Sequence, residues 1–353
     1  MLVRRLGFLL PLSLPLLFLL GYARGGAWNF LVVGWVFGLL PVLDVLGGDD
    51  TANVLTARPV ARGWSLFFDL ILYAWVVIEV IVLGWAFSRF GQIPDTLGRV
   101  GFVLSLGLIT GGVGIVVAHE LGHRSSLLAR SLGCLLLALV GYGQFYIEHN
   151  QGHHAQVATP ADPATARAGE SFWRFLPRSV VGGFAGAWRI ERRRLAALGR
   201  GVLHPANRML WVAATPLLLA TAIGWRWGAA AALLYVLQSA IAVSLLECIN
   251  YLEHYGLLRA RRGDGRFETV ATWHSWNSSR RISNWMTFNL QRHSHHHVRV
   301  TSHYEALEHV REAPQLPMGY PAMVLLACLP PLWRRIMDPR LAQTGNQPGE
   351  RSA

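Results

Sequence analysis

The sequence predicts an all-α, polytopic membrane protein with six transmembrane helices and a histidine-rich cytoplasmic face. Three observations lead there. The 353 residues are 52% hydrophobic and only 15% charged, too apolar for an ordinary soluble domain. Apolar runs of bilayer-spanning length, about 20 residues each, recur along the chain. Fourteen histidines are present, none falls before position 119, and most lie in four clusters.

The first run, 6–23, follows Arg4 and Arg5. It is longer than the apolar core of a signal peptide, about 7–15 residues, and Arg24 follows it, so it is expected to stay as a span. Further spans are expected at 28–47, 65–87, 99–118, 208–225 and 228–250. The run 131–147 is short and contains Gly133, Gly141 and Gly143. With Arg4 and Arg5 inside, four spans deliver His119 to the cytoplasmic face. A crossing at 131–147 would then separate His119 from the histidines at 149–154 and translocate the arginine-rich stretch 167–208. That run is therefore expected to be re-entrant or interfacial. The last two spans return the chain to the cytoplasm, 251–353 stays there, and residues 1–353 form one integral-membrane domain with both termini inside.

The charge is +12, and with no lysine in the chain arginine carries all of the excess. In a membrane chain such a balance points to anionic lipid or an acidic partner rather than to nucleic acid. Cys134, Cys248 and Cys328 stand apart in apolar surroundings, which excludes a disulfide framework and a cysteine metal site.

The clusters are "HELGH" (119–123), "HNQGHH" (149–154), "NYLEHYGL" (250–257) and "QRHSHHH" (291–297). "HELGH" alone matches the HExxH motif of zinc proteases. On a helix, positions i and i+4 share a face, which pairs His119 with His123 and His149 with His153. His154 lies about 100° further round, suited to a second metal. His293, His296 and His297 share one face, while His295 points to the back. With His254, nine ligands result. That is too many for a catalytic zinc with about three protein ligands, and it suits two metals with open positions. Imidazole does not by itself name the metal; iron is favoured for oxygen activation. His204, His274, His303 and His309 are expected to be hydrogen-bonded surface residues.

These boxes resemble those of the membrane-bound alkane hydroxylases, the non-haem di-iron alkane 1-monooxygenases of the desaturase/hydroxylase superfamily. HxxxH, HxxxHH and HxxHH match "HELGH", "HNQGHH" and "HSHHH". "NYLEHYGL", "HSWNSS" (274–279), "LQRHS" (290–294) and the stretch 313–340 continue the match. The family usually has an acid where this chain has His295. The middle box differs from the HxxHH of desaturases, favouring a hydroxylase. The resemblance implies two iron ions, O2 as co-substrate, and hydroxylation of the terminal methyl of an alkane to a primary alcohol. It also implies electrons from rubredoxin and a rubredoxin reductase. The chain has no CxxC…CxxC module, so a separate rubredoxin is expected. Fatty-acid or aromatic-methyl hydroxylation and desaturation are the neighbouring alternatives.

An alkane carries no polar handle, so an apolar cavity entered from membrane lipid must hold it. Trp35 lies ~18 Å before the cytoplasmic end of its span at 1.5 Å per residue and is a candidate for limiting the channel. Glu120, Glu148 and Glu253 neighbour proposed ligands and, with Asp44 and Asp69, are candidates to orient imidazoles. Glu79, inside the third span, is an intramembrane acid and a functional candidate. Arg259, Arg261, Arg262, Arg280 and Arg281 are candidates to dock an acidic electron carrier.

Overall fold

The computed structural model describes residues 2–53 and 62–345, the side chains from residue 66 onward in the second stretch. Among the described residues there is no strand, only isolated bridges that include Asp49–Arg280 and Arg261–Phe267. Six helices are long and apolar enough to cross a bilayer: α1 (Val3–Arg24), α2 (Gly26–Gly47), α3 (Leu66–Gln92), α4 (Thr96–Gly122), α8 (Arg208–Trp227) and α9 (Ala229–His254). They start and stop within a few residues of the expected spans. Both ends of α4 and the end of α9 run on, so His119 and His254 are carried by the helices themselves.

Between α4 and α8 lie three α-helices of five residues or more. α5 (Leu127–Leu139) is capped by Ser126, whose side chain accepts from Ala129 N–H. Its 13 residues span ~20 Å at 1.5 Å per residue, short of a bilayer core. Leu127, Leu128 and Leu135 are exposed on one face while Leu136 and Leu137 are buried on the other, the pattern of a helix lying along a surface. Gly141, at φ 64°, turns the chain into α6 (Gln144–Glu148). α7 (Phe172–Ala197) then packs across α6 and α9. Beyond α9 the chain adds α10 (Arg281–Met286), α11 (His293–Val298), α12 (Tyr320–Ala327) and α13 (Pro330–Gln343).

Two spans contain π-turns. In α2, Trp35–Leu39 form one that ends two residues before Pro41. Proline has no N–H to give the preceding turn, and its ring crowds the carbonyl four residues back. In α4 the π-turn Thr110–Gly114 is stitched to α9 by Thr110 Oγ1 donating to Gln238 Oε1 at 2.7 Å. α4 is the most enclosed span, because small residues let its neighbours close on it. A Cβ on Gly111 would lie 2.5 Å from the Ala242 backbone, and one on Gly107 2.5 Å from Ile241. Glu79, fully buried, accepts from Trp75 Nε1 at 2.8 Å. Its partner therefore sits on its own span, with Gly114 making room for the carboxyl.

Candidate metal centre

All nine predicted imidazoles converge, and they divide into two sets. His119, His123, His149, His154 and His296 form one; His153, His254, His293 and His297 form the other. Within each set the offered ring nitrogens lie within 4.8 Å of one another. In the first set His123 Nε2 is 3.1 Å from His149 Nε2 and 3.3 Å from those of His119 and His154. In the second, His293 Nε2 is 3.2 Å from His254 Nε2 and 2.9 Å from His297 Nε2. The sets adjoin, with the His154 and His297 rings 4.8 Å apart.

The division differs from the helical-wheel expectation, which placed His149 with His153. Residues 149–153 form a π-turn, which brings position i+5 rather than i+4 onto the starting face. His149 Nε2 therefore meets His154 Nε2 at 3.0 Å, and His153 turns to the other set. The third box is also split. His293 and His297, four apart, join one set, while His296 reaches across to His119 and His123. His295 belongs to neither. Its Nδ1 accepts from Glu308 N–H at 3.3 Å and its Nε2 lies 3.8 Å from the Glu308 carboxylate.

The donor chemistry fits metal ions. Burial, reinforced by the neighbouring rings, pushes His149, His154, His293, His296 and His297 well below the ordinary imidazole range, and His123 down to about 4. These rings are neutral bases whose lone pairs are available. The Nε2 atoms of His153 and His296 are buried without a hydrogen-bond partner among the described residues, a cost that coordination would remove. Nine imidazoles with carboxylates behind them would suit iron, zinc or copper.

Of the five acids expected to orient imidazoles, Glu253 lies beside one, at ion-pair distance from His293 though without a hydrogen bond to it. Its Oε1 lies 3.1 Å from His293 Nδ1 and accepts from the Tyr320 hydroxyl at 2.7 Å. Glu148 is buried beside His149 and His153 in a chamber of about 10 Å3 that it shares with Glu247 and Asn250. Burial and the charges of Asp162 and Glu247 push it up to about 8, against His153. The other three serve elsewhere. Glu120 and Asp69 both pair with Arg124, at 2.8 and 3.1 Å, and Asp44 accepts from Ser283 N–H at 2.8 Å, tying α2 to α10.

Asp162 was not foreseen. Its Oδ2 accepts from His153 Nδ1 at 3.0 Å and from Thr165 Oγ1 at 2.6 Å. Burial alone would lower His153 and raise Asp162; their mutual attraction outweighs it and shifts both the other way. His274 is a correction of another kind. It is fully buried, with Nε2 3.0 Å from Glu268, not a surface residue. His303 meets Arg124, His309 meets Ser279, and His204 accepts from Ala206 N–H.

Beneath the histidines lies an apolar cavity of about 70 Å3, lined by Val36, Phe37, Gly112, Val116 and Leu245 among others. A smaller one of about 30 Å3 shares Gly111, Val116, Ile249 and Leu290 with it and reaches His119, His149 and His293. Trp35 is not on this path. It borders a separate cleft of about 640 Å3 between α1 and α2, with Leu17, Trp28 and Leu31. The π-turn in α2 accompanies this arrangement, with Val36 and Phe37 on the cavity and Trp35 on the cleft.

Among the docking candidates, Arg259 is tied to the carbonyls of Ala155 and Glu268. Arg280 lies 3.5 Å from Asp49, and Arg281 reaches the Asp49 carbonyl. Arg261 and Arg262 are exposed, Arg261 stacking on Phe267.

Six apolar helices with buried imidazole sets at their ends define the class: a helical membrane protein with a histidine centre that could hold metal. The chain belongs to the fatty acid desaturase family, whose profile matches residues 94–327. It is 42% identical over 342 residues to alkane 1-monooxygenase 1 of Pseudomonas aeruginosa, covering 95% of this chain and 89% of that protein. Alkane 1-monooxygenase 2 of Alcanivorax borkumensis is 37% identical over 318 residues, 89% and 83% of the two chains. The hydroxylase component of a xylene/toluene monooxygenase of Pseudomonas putida is 29% identical over 342 residues, 94% and 89%. The resemblance drawn from the histidine boxes agrees with these similarities.

Proposed function

We propose that the protein is a di-iron monooxygenase of the bacterial inner membrane, converting the terminal methyl of an alkane to a primary alcohol. The alkane, O2, two electrons and two protons give the alcohol and water. The electrons come from a separate rubredoxin, reduced by its reductase. The observation that carries this reading is the join between an apolar cavity and two imidazole sets, in a chain similar to proteins named alkane 1-monooxygenase.

Bound at the two sets, iron would supply the reduction of O2 and the transfer of one oxygen atom into a C–H bond. The chain's own residues bind and position. His119, His123, His149, His154 and His296 would hold one ion, and His153, His254, His293 and His297 the other. Asp162 keeps the Nδ1 proton of His153, so that Nε2 presents its lone pair inward. Val36, Phe37, Val116 and Leu290 exclude water and align an alkane by shape alone. Six spans that put the histidines on the same side as Arg4 and Arg5 would place the site at the cytoplasmic face.

The test is metal content and product analysis on the purified protein, beside His254→Ala and His295→Ala. About two irons per chain, reduced by His254→Ala and kept by His295→Ala, with 1-alcohols formed only with O2 and reduced rubredoxin, is the expected result. Zinc without iron after iron-replete expression would overturn it. The xylene/toluene relative favours a second substrate class, aromatic methyl groups, and p-xylene in the same assay separates the two.

A further inference from the structure

A groove with no part in the chemistry runs down the outside of the bundle where α5 and α6 meet α8. It has a volume of about 330 Å3 and is walled by Ala138, Gly141 and Tyr146 on one side and by Trp211, Val212 and Pro216 on the other. The small residues make the space, since a Cβ added at Gly143 would already approach Val212 to 3.3 Å. From Arg208, which opens α8, to Pro216 is eight residues, or ~12 Å along the span at 1.5 Å per residue. The groove therefore runs from the end of the span well into its apolar part, beside the exposed Leu217 and Leu218.

Its upper end is cationic. Glu191 is buried against two arginines, Arg194 and Arg208, at 2.6 and 2.7 Å, so that this cluster keeps an excess positive charge. Arg130 stands one helical turn from Cys134, which lines the groove. Arg130 has no ion-pair partner among the described residues, and its Nε is buried without a hydrogen-bond acceptor. Arg130 and Arg208 both act on the Cys134 thiol, opposing the upward push of its burial. An apolar slot between helices, with Arg208 at its interfacial end and Arg130 one turn from its wall, has the shape and charge of one ligand class.

We propose that this groove is a binding site for an anionic phospholipid, with one acyl chain between α5 and α8 and the phosphate held by Arg130 and Arg208. A zwitterionic headgroup brings its own cation beside the phosphate, so only an anionic one offsets the net positive charge at this end of the groove. The site lies on the outer wall of the bundle and does not depend on the reaction proposed above.

The experiment uses the full chain, purified in mild detergent, stripped of lipid and exposed to mixed micelles of phosphatidylglycerol or phosphatidylcholine. Native mass spectrometry counts the lipid retained. The wild type is expected to keep phosphatidylglycerol in preference to phosphatidylcholine. Arg130→Gln lowers phosphatidylglycerol retention about fivefold, as expected for one cation near a headgroup, and lowers phosphatidylcholine retention less. Thr215→Trp, which fills the groove from the α8 side, abolishes the preference. Metal content and helicity of both variants, unchanged, show that the fold and the histidine site are intact. Equal retention of the two lipids, no retention, or a preference that survives Thr215→Trp would overturn the proposal, as would occupation of the groove by an added alkane.

Discussion

Asp162 is the residue on which the second imidazole set leans most. It is fully enclosed and accepts from His153, Thr165 and the Ala164 amide, so its charge is fixed in place before any ion arrives. Asp162→Asn keeps the size but can no longer hold the Nδ1 proton as an anion does. Metal affinity should fall roughly 10–100-fold, the usual cost of removing a carboxylate behind a ligating histidine. Titration of the metal-free protein with ferrous iron or cobalt would measure it, and unchanged affinity would show that the pair is only structural. The nine histidines were legible because ligand chemistry restricts residue type, and spacing within each box restricts the face. Asp162 was not legible. It sits in a loop bounded by Pro160 and Pro163, and no periodicity says where a loop carboxylate points. Glu120 misled for the opposite reason: adjacency to His119 is a fact of sequence, but its carboxylate turns to Arg124.

At the scale of elements, π-turns separate the expected from the observed geometry. A wheel of 100° per residue assumes an unbroken α-helix; one extra residue in a turn rotates everything beyond it. That is why His149 shares a set with His154, and it places Val36 and Phe37, not Trp35, on the cavity. Val36→Trp should therefore obstruct the path and lower kcat/KM for long alkanes about tenfold or more relative to short ones, within the range that one to a few methylenes command in an apolar pocket. Trp35→Ala should leave that ratio alone. A competition assay with octane and hexadecane decides between them, and the reverse outcome would return Trp35 to the channel.

The junction of α7 with α8 rests on one carboxylate. Burial alone would raise Glu191, but hydrogen bonds from Arg194 and Arg208 hold it at about 2. A depressed folded value contributes stability that is complete above the unfolded value near 4.5 and is lost as pH falls from there toward 2. Glu191→Gln should destabilise by about 1–2 kcal/mol at pH 7, discounted because both guanidiniums are partly solvated. It should cost little at pH 2. Thermal unfolding in detergent at the two pH values checks the sign, and an equal loss at both would assign the effect to packing.

At the scale of the whole molecule, charge and hydropathy were legible as totals, but the surface each arginine serves was not. Of the five arginines expected to face a partner, Arg259 and Arg280 are drawn into the fold by carbonyls and Asp49. Arg261 and Arg262 remain on a projecting turn, closed by the bridge from Arg261 to Phe267 and by Arg262 N–H donating to the Arg266 carbonyl at 2.8 Å. That turn follows Arg259, whose side chain donates to the Ala155 carbonyl next to His154, so a carrier bound there would stand near the segment that carries His153 and His154. If these arginines steer an acidic carrier, the rate of reduction must fall with ionic strength, since attraction between exposed charges is screened beyond about 8 Å at physiological salt. Arg261→Glu with Arg262→Glu should slow reduction by rubredoxin about tenfold or more at low salt, flatten the salt dependence, and leave reduction by dithionite unaltered. Stopped-flow measurements at several salt concentrations test this directly. If the double variant keeps the wild-type rate and slope, the turn does not dock the carrier.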